Sequence, residues 1–408
     1  MKILIATDCY IFHTGGVTNA ILSLKRGLCE KGHEVRVLAL SDRHQSFRNG
    51  EDYFIRSRRF PVYPEHRFSL AMHDPLLQEL KAWKPDIVHI HTEATAGWMA
   101  KAIARETHTP VVMTTHTDFE YFNFGRFRDA RMVKWLGRVW GNHAYRQAEA
   151  VIVPAEKARA FPHLQGCADR VKVIPNGVQP ERYQGKVSPE EKAALLGRYG
   201  LRDNGYTLVM VTRLSREKNV MEILQYFPAL LRELPEAQMI ITGFGPDRKR
   251  LESFSIRNGL EKKVRFTGRA APEDVYRYYA MGDLFVSAST FELHSMSWLE
   301  AMIRGLPMVC REDPSLTGVL EDRENGMIYR DQEGFVRAVS EILRDRALLK
   351  KMGENALRKA ETFGYMRHAE RTLDLYASVI RAWEKKKTDC ICDRTDPAEK
   401  ENALRNES

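Results

Sequence analysis

The sequence predicts an α/β protein built from two successive doubly wound parallel sheets that face each other across a cleft. Three observations carry this. Short runs rich in valine and isoleucine alternate with segments of helical period, the pattern of a parallel sheet covered on both faces. The alternation halts at an Asn-Gly turn near mid-chain and then begins again. The 408 residues suffice for two or three domains of ordinary size.

Taken in order, "KILIATD" reads as a first buried strand, after which Gly15-Gly16 opens a helix over residues 17–31 that Gly32 stops. "EVRVLAL", "DIVHIH", "PVVMTTH" and "AVIVP" are further strands, with helices at residues 94–106 and 131–147 between the last three. "VKVIPNGV" ends in the Asn-Gly turn, and the boundary between units is expected at residues 176–182. The second unit has a polar helix at residues 189–199. Its strands are "YTLVMVTRL", "AQMIITGFG", "VRFTG", "LFVSAST", "PMVCR" and "GMIY", again separated by helices. The expected division is a first domain at residues 1–178, a second at 179–363, a long amphipathic helix at 364–387 and a polar, disordered tail at 388–408.

Composition narrows the class. With 43% hydrophobic and 29% charged residues the chain is expected to be globular and soluble. No window approaches the roughly 18–20 apolar residues that cross a bilayer. The opening "MKILIATDCY" is too short an apolar run for a secretory signal and lacks a small-residue cleavage site. The six cysteines (Cys9, Cys29, Cys167, Cys310, Cys390 and Cys392) form no Cys-x-x-Cys pair, so reduced thiols in a cytoplasm are expected. A formal net charge of +9 serves solubility or an anionic partner: nucleotide phosphates, nucleic acid or an acidic membrane surface. No motif of a nucleic-acid-binding module occurs, and no nucleic acid is expected.

In open parallel sheets ligands sit beyond the carboxyl ends of the strands. That rule selects residues 8–17, 116–127, 213–219, 243–246, 268–270 and 290–298. Gly15-Gly16 runs straight into a helix and reads either as a tight turn or as a place where backbone meets an anion. Gly243 and Gly245 follow a strand, but Arg248 stands where a dinucleotide fingerprint needs its third glycine, which disfavours a nicotinamide enzyme. Arg213 ends a strand, with Arg216 and Lys218 beyond it; these are a solvated basic loop, or the cations that stabilise a departing diphosphate. No Asp-x-Asp pair occurs anywhere, which favours a site that needs no metal. His116 ends "PVVMTTH" and could donate to a substrate oxygen or be satisfied by neighbouring backbone. His89 and His91 share one face of a strand without a further ligand, so no metal is expected there.

The stretch "STFELHSMSWLEAMIRGLP" holds two glutamates, Glu292 in the loop and Glu300 two turns into the following helix. Glu300 has a structural reading, since Ser297-x-x-Glu300 is a capping box. The functional reading uses both. A helix starting near Ser295 aims the N–H groups of about residues 294–297 at the loop, Glu292 accepts from sugar hydroxyls and Glu300 takes both hydroxyls of a ribose.

With these segments in place the chain resembles the retaining GT-B glycosyltransferases of family 4. The resemblance rests on "GGV", "TTHT", "VIPNGV", "TRLSREKN", "ITGFGP", "FTGR", the Glu-x7-Glu pair followed by "EAMIRGLPMV", and "ENGMIY", in that order over nearly the whole chain. It implies two Rossmann-like domains, an acceptor side at the N-terminus and a nucleotide-sugar site at the C-terminus. It also implies that the last long helix crosses back onto the first domain. His116 and Glu292 are then expected to face the transferred sugar. Donor contacts are expected at Gly15, Gly16, Arg213, Lys218, Gly243, Arg269, Leu293, His294, Ser295, Met296 and Glu300, with the base near Arg269. Ser295 stands where the family usually has glycine, which bears on the identity of the sugar.

Within the family, "RFPVYPEHRFSLAM" and "HTDFEYFNFGRF" look most like bacterial enzymes that glucosylate diacylglycerol. The expectation is transfer of glucose from UDP-glucose to a lipid acceptor, without a cofactor, by a cytoplasmic protein peripheral on the inner face of the plasma membrane. Arg56, Arg58, Arg59 and Arg67 lie among Phe60, Tyr63 and Phe68, and Arg126, Arg128, Arg131, Lys134, Arg138 and Arg146 accompany Trp135 and Trp140. Such mixtures bind anionic bilayers, or are a charged helix face with its aromatics in the core. Two alternatives remain: the same chemistry on a soluble acceptor (sugar phosphate, polysaccharide or small molecule), and a nucleotide-sugar-binding protein without transfer.

Overall fold

The computed structural model describes residues 1–11, 15–59, 67–116 and 131–392. Phe60, Tyr63, the aromatic loop after His116 with Arg126 and Arg128, and residues 393–408 lie outside the described residues.

The first sheet comprises β1 (Lys2–Thr7), β2 (Glu34–Leu40), β3 (Phe47–Asn49) and β4 (Asp52–Ile55). After a two-residue hairpin, β5 (Arg58–Arg59) and β6 (Arg67–Phe68), it continues with β7 (Ile87–Ile90), β8 (Val111–Thr114), β9 (Ala150–Val153) and β10 (Val171–Val173). Its order is β10-β9-β8-β7-β1-β2-β4-β3, parallel except for β3. The second sheet comprises β11 (Thr207–Val211), β12 (Gln238–Thr242), β13 (Val264–Gly268), β14 (Leu284–Ser287), β15 (Met308–Arg311) and β16 (Gly326–Tyr329), in the order β13-β12-β11-β14-β15-β16 and parallel throughout. These central strands are apolar at nearly every position because helices cover both faces.

The helices are α1 (Gly16–Glu30), α2 (Pro75–Trp83), α3 (Thr95–Thr107), α4 (Arg131–Arg146), α5 (Pro189–Arg198), α6 (Val220–Glu233), α7 (Arg248–Arg257), α8 (Val275–Ala280), α9 (Met296–Ile303), α10 (Gln332–Arg344), α11 (Arg346–Glu361) and α12 (Tyr365–Cys392). No helix among the described residues is long and apolar enough to cross a membrane.

In each sheet the chain starts at a central strand, winds outward, and returns to the other side of that strand. The reversals lie between β1 and β7 and between β11 and β14. Side chains leaving those strand ends cannot be covered by the crossover helices, so crevices form there.

The chain passes between the domains twice, side by side. Val178 N–H donates to Phe363 O at 2.9 Å and Tyr365 N–H to Val178 O at 3.0 Å. The last helix then packs on α1. A Cβ on Gly27 would lie 2.7 Å from Ala369 Cβ, and one on Gly177 2.8 Å from Tyr365 Cα, so both positions need glycine for close approach. This helix runs to Cys392, five residues past its expected end, so the segment expected to be disordered from residue 388 is helical at its start.

Candidate functional site

The reversal of the second sheet is flanked by the loops after β11 and β14. Thr290 N–H donates to Glu217 O at 3.1 Å, which zips the two loops together. This brings Lys218 Nζ to 2.6 Å from Glu292 Oε1, with both side chains largely shielded from solvent. Arg213 lies exposed just beyond the end of β11. Lys218 and Glu292 thus meet where the loops after β11 and β14 join, with Arg213 nearer the end of β11.

Glu300 is not part of a capping box. The helix begins at Met296 with Ser295 as N-cap, and no side chain caps it. Ser295 Oγ instead meets Ser297 Oγ at 3.1 Å. The Glu300 carboxylate is buried and held from two sides: Tyr183 OH donates to Oε1 at 2.8 Å and Tyr279 OH to Oε2 at 2.7 Å. Asn19 Nδ2 reaches Oε1 from the first domain at 3.4 Å. Burial raises the carboxyl's pKa, opposed by the tyrosine hydroxyls, which favour the ionised form. Tyr183 and Tyr279 escaped the sequence reading because neither lies on a strand-end loop. Asn19 carried a signal, since it sits three residues from Gly16 and so on the same helix face.

The segment before the helix divides its tasks. Leu293 is buried and packs with the core of the first domain, so its side chain ties the domains together. His294 is buried against Phe363 at 5.1 Å between ring centroids, and neither ring nitrogen has a partner among the described residues. Burial lowers its pKa to about 4, so it is neutral. The His294 carbonyl accepts from Asn176 Nδ2 at 3.3 Å. Ser295 has φ −69° and ψ 122°, a backbone geometry that makes no demand for glycine. A Cβ on Gly16 would stand 3.5 Å from Met296 Cγ, so the start of α1 faces the start of α9. Two helix N-termini therefore approach each other there, a positive setting for an anion. Gly15 is extended at φ 177°, with no atom of the described residues within 4 Å of where a Cβ would be.

Gly243 behaves differently from the expectation. Its φ is +145°, and a Cβ there would lie 1.7 Å from Thr212 O, so glycine is obligatory, but the close approach is to the protein's own backbone. Nearby, the Arg269 guanidinium lies 5.9 Å from the ring centroid of Phe244, which is exposed. Phe244 was not singled out in the sequence; an aromatic residue between the two glycines was the available signal.

In the first domain the residues to inspect lie at the ends of β1, β7 and β8. His116 is half-buried, and its Nε2 lies 3.0 Å from His91 Nδ1. Burial lowers its pKa to about 4, so it too is neutral. His89 is held between Tyr376 OH at 2.6 Å and Thr114 Oγ1 at 2.7 Å, which accounts for both nitrogens without a metal. Asp8 accepts from Thr95 Oγ1 at 2.9 Å and from Ala96 N–H at 3.0 Å, joining the loops after β1 and β7. Glu93, beside it, accepts from Tyr145 OH, and burial pushes its carboxyl up to about 7. Neither Asp8 nor Glu93 was singled out in the sequence. Among the described residues no group of three or more His, Cys, Asp or Glu side chains is arranged to hold a metal ion.

Residues 14–182 match the family described as Glycosyltransferase Family 4, and residues 192–359 match Glycosyl transferases group 1. The chain is a glycosyltransferase whose first part matches Family 4 and whose second part matches group 1. It is a GT-B glycosyltransferase, an enzyme of the hexosyltransferase class. It is 29% identical over 349 residues to the alpha-monoglucosyldiacylglycerol synthase of Streptococcus pneumoniae, covering 84% of this chain and 78% of that one. It is 26% identical over 399 residues to the enzyme of the same name from Acholeplasma laidlawii, covering 95% and 99%. The fold is similar to that of Anabaena HepE, solved with UDP and glucose, with a TM-score of 0.72 at 20% identity over 93% of this chain and all of that one.

Proposed function

We propose that this glycosyltransferase moves glucose from UDP-glucose to a lipid hydroxyl such as that of 1,2-diacylglycerol, with retention at the anomeric carbon and without a metal. The observation that supports the donor side is Lys218 Nζ at 2.6 Å from Glu292 Oε1 in the loop that leads into α9, with Arg213 two residues beyond β11 and Glu300 buried within α9. Glu300 takes the ribose hydroxyls, and Phe244 with Arg269 offers a stacking surface for the base. Lys218, Arg213 and the helix N–H groups stabilise the diphosphate as its bond to sugar C1 breaks. The acceptor oxygen bonds to C1 from the same face, and its proton leaves with the diphosphate oxygen. Glu292 and His116 orient the sugar. Both carboxylates of the pair are engaged by protein donors, which supports a mechanism without a protein nucleophile.

The lipid acceptor is supported by the two glucosyldiacylglycerol synthases among the relatives and by the surface of α4. Trp135 is 59% exposed, Val139 47% and Trp140 37%. Trp135 and Val139 are four residues apart and share a face, with Arg138 beside them. The aromatics are therefore not buried in the core, which favours an interfacial helix on an anionic bilayer over a charged face with apolar backing.

The test is a donor panel of UDP-glucose, UDP-galactose, GDP-mannose and ADP-glucose with diacylglycerol in mixed micelles, scored by product mass and anomeric configuration. Rates are expected to be equal with magnesium and with excess chelator. An inverted product, a different sugar, or turnover abolished by chelator overturns the corresponding part of the reading.

A further inference from the structure

We propose that His91 is a positioning residue that fixes the tautomer of His116, so that His116 carries its proton on Nδ1. The argument begins with geometry. The two rings are inclined by only 16°, their centroids are 5.3 Å apart, and His91 Nδ1 stands 3.0 Å from His116 Nε2. A centroid separation that large with nitrogens that close is an edge-to-edge contact, with the hydrogen bond in the plane of both rings. One nitrogen must donate and the other accept, because a neutral imidazole carries one N–H.

Burial keeps both rings neutral. His91 is 3% exposed, and its Nε2 is buried without a partner among the described residues. If His116 donated, His91 would accept on Nδ1 and its own proton would sit on Nε2, a buried N–H with nothing to receive it. In folded backbones buried N–H groups left without an acceptor are rarer than under-satisfied carbonyls, and the same preference is assigned to this ring. The less costly arrangement has His91 Nδ1–H donating to His116 Nε2, leaving a bare lone pair on His91 Nε2. His116 then holds its proton on Nδ1, which makes no hydrogen bond among the described residues and is not among the buried unpartnered atoms.

His91 is itself held rigidly. Its ring lies 4.1 Å from that of His89, which Tyr376 of the crossover helix and Thr114 of β8 clamp from either side. The last helix thus supports a chain of three imidazoles that ends at His116. The catalytic consequence rests on His116 contacting the transferred sugar: a fixed Nδ1–H offers a donor to a sugar oxygen and cannot act as a base from that nitrogen.

The experiment is the nitrogen–proton correlation spectrum of the full-length protein labelled in histidine nitrogen, with rings assigned by loss of signals in His91→Asn and His116→Gln. The expected wild-type spectrum shows His116 protonated at Nδ1 and bare at Nε2, and His91 likewise. Finding both rings protonated at Nε2 overturns the proposal whatever the substrate proves to be. For activity, His91→Phe should lower kcat roughly tenfold, the worth of about one hydrogen bond, with KM for both substrates little changed. His91→Asn, whose amide can donate from the Nδ1 position, should recover most of the rate. Unchanged kcat in His91→Phe overturns the positioning role. If His91→Phe does not fold, the wild-type spectrum and His91→Asn decide. If no donor supports transfer, the proposed function falls while the spectrum still decides the tautomer.

Discussion

Replacing Lys218 by alanine removes the ammonium that lies 2.6 Å from Glu292 Oε1. Two effects follow, and they are separable. In the free enzyme the Glu292 carboxylate loses its cation while only 11% of its side chain is exposed. Leaving a largely shielded acceptor unsatisfied costs about 1–3 kcal/mol of folding free energy, which thermal or denaturant unfolding reads directly. In the transition state the departing diphosphate loses one preorganised positive group. Removing one such donor from a water-poor site costs about 10²–10³ in kcat, or about 3–4 kcal/mol. The assay is steady-state transfer by folded Lys218→Ala, together with calorimetric binding of UDP. Lys218→Arg should retain more activity than the alanine variant, because charge is kept and only its placement changes. If folded Lys218→Ala turns over within about threefold of wild type, the ammonium does not act on the leaving group and the donor site as described is wrong.

Three further outcomes are expected. Tyr279→Phe and Tyr183→Phe each remove one hydroxyl from the buried Glu300 carboxylate; each should raise KM for the donor by up to about tenfold, and an unchanged KM would mean Glu300 does not need that restraint to bind ribose. His294 has a folded pKa of about 4 against about 6.5 in an unfolded chain, so between these values the unfolded state holds the extra proton and stability falls as pH drops through that window, by about 3 kcal/mol for this ring. Unfolding curves from pH 7 to 4 should show a smaller loss in His294→Phe than in wild type, and equal losses would refute the assignment. Trp135→Ser combined with Val139→Ser should weaken co-sedimentation with phosphatidylglycerol vesicles roughly tenfold or more, at about 1 kcal/mol per exposed side chain removed, and undiminished binding would remove α4 from the membrane surface.

The sequence made the parallel core legible because strands covered on both faces must be apolar at consecutive positions. "TLVMV" and "QMIIT" could hardly sit elsewhere. Elements at the periphery send weaker signals. The strand Asp52–Ile55 is four residues long and begins on a charge, and the antiparallel Phe47–Asn49 is half polar. The missed helix Pro75–Trp83 did carry a start signal, since Asp74 caps it, accepting from Leu76 N–H, with proline at the first turn. For the candidate site, the strand-end rule pointed to Lys218, Glu292 and His116 but not to what surrounds Glu300. Its partners come from the region after the Asn-Gly turn, from α8 and from α1, three segments that only tertiary packing unites. The capping-box reading failed for the same reason: a local pattern offered Glu300 a neighbour two residues inside the helix, while the fold supplied two tyrosine hydroxyls with better geometry.

The two glutamates of the Glu-x7-Glu pair are held in opposite ways, and under the proposed function this suits opposite tasks. Glu300 is gripped by neutral hydroxyls that ribose hydroxyls can join without any charge being displaced, as uniform binding of a substrate requires. Glu292 is gripped by a cation whose attraction must be shared once a diphosphate arrives. In the ground state Lys218 is already partly neutralised by Glu292, so it gains less from the intact donor than a lone ammonium would. As the C1–O bond breaks, charge accumulates on the diphosphate and the pull on Lys218 grows at the expense of Glu292. An interaction that strengthens along the reaction lowers the barrier, whereas one equally strong at the start does not. Glu292→Gln separates these terms. It frees Lys218 to bind UDP more tightly, while kcat falls because the sugar loses the carboxylate proposed to orient it. A variant that bound UDP no better than wild type would show that Glu292 does not restrain the lysine, and the pairing would be structural.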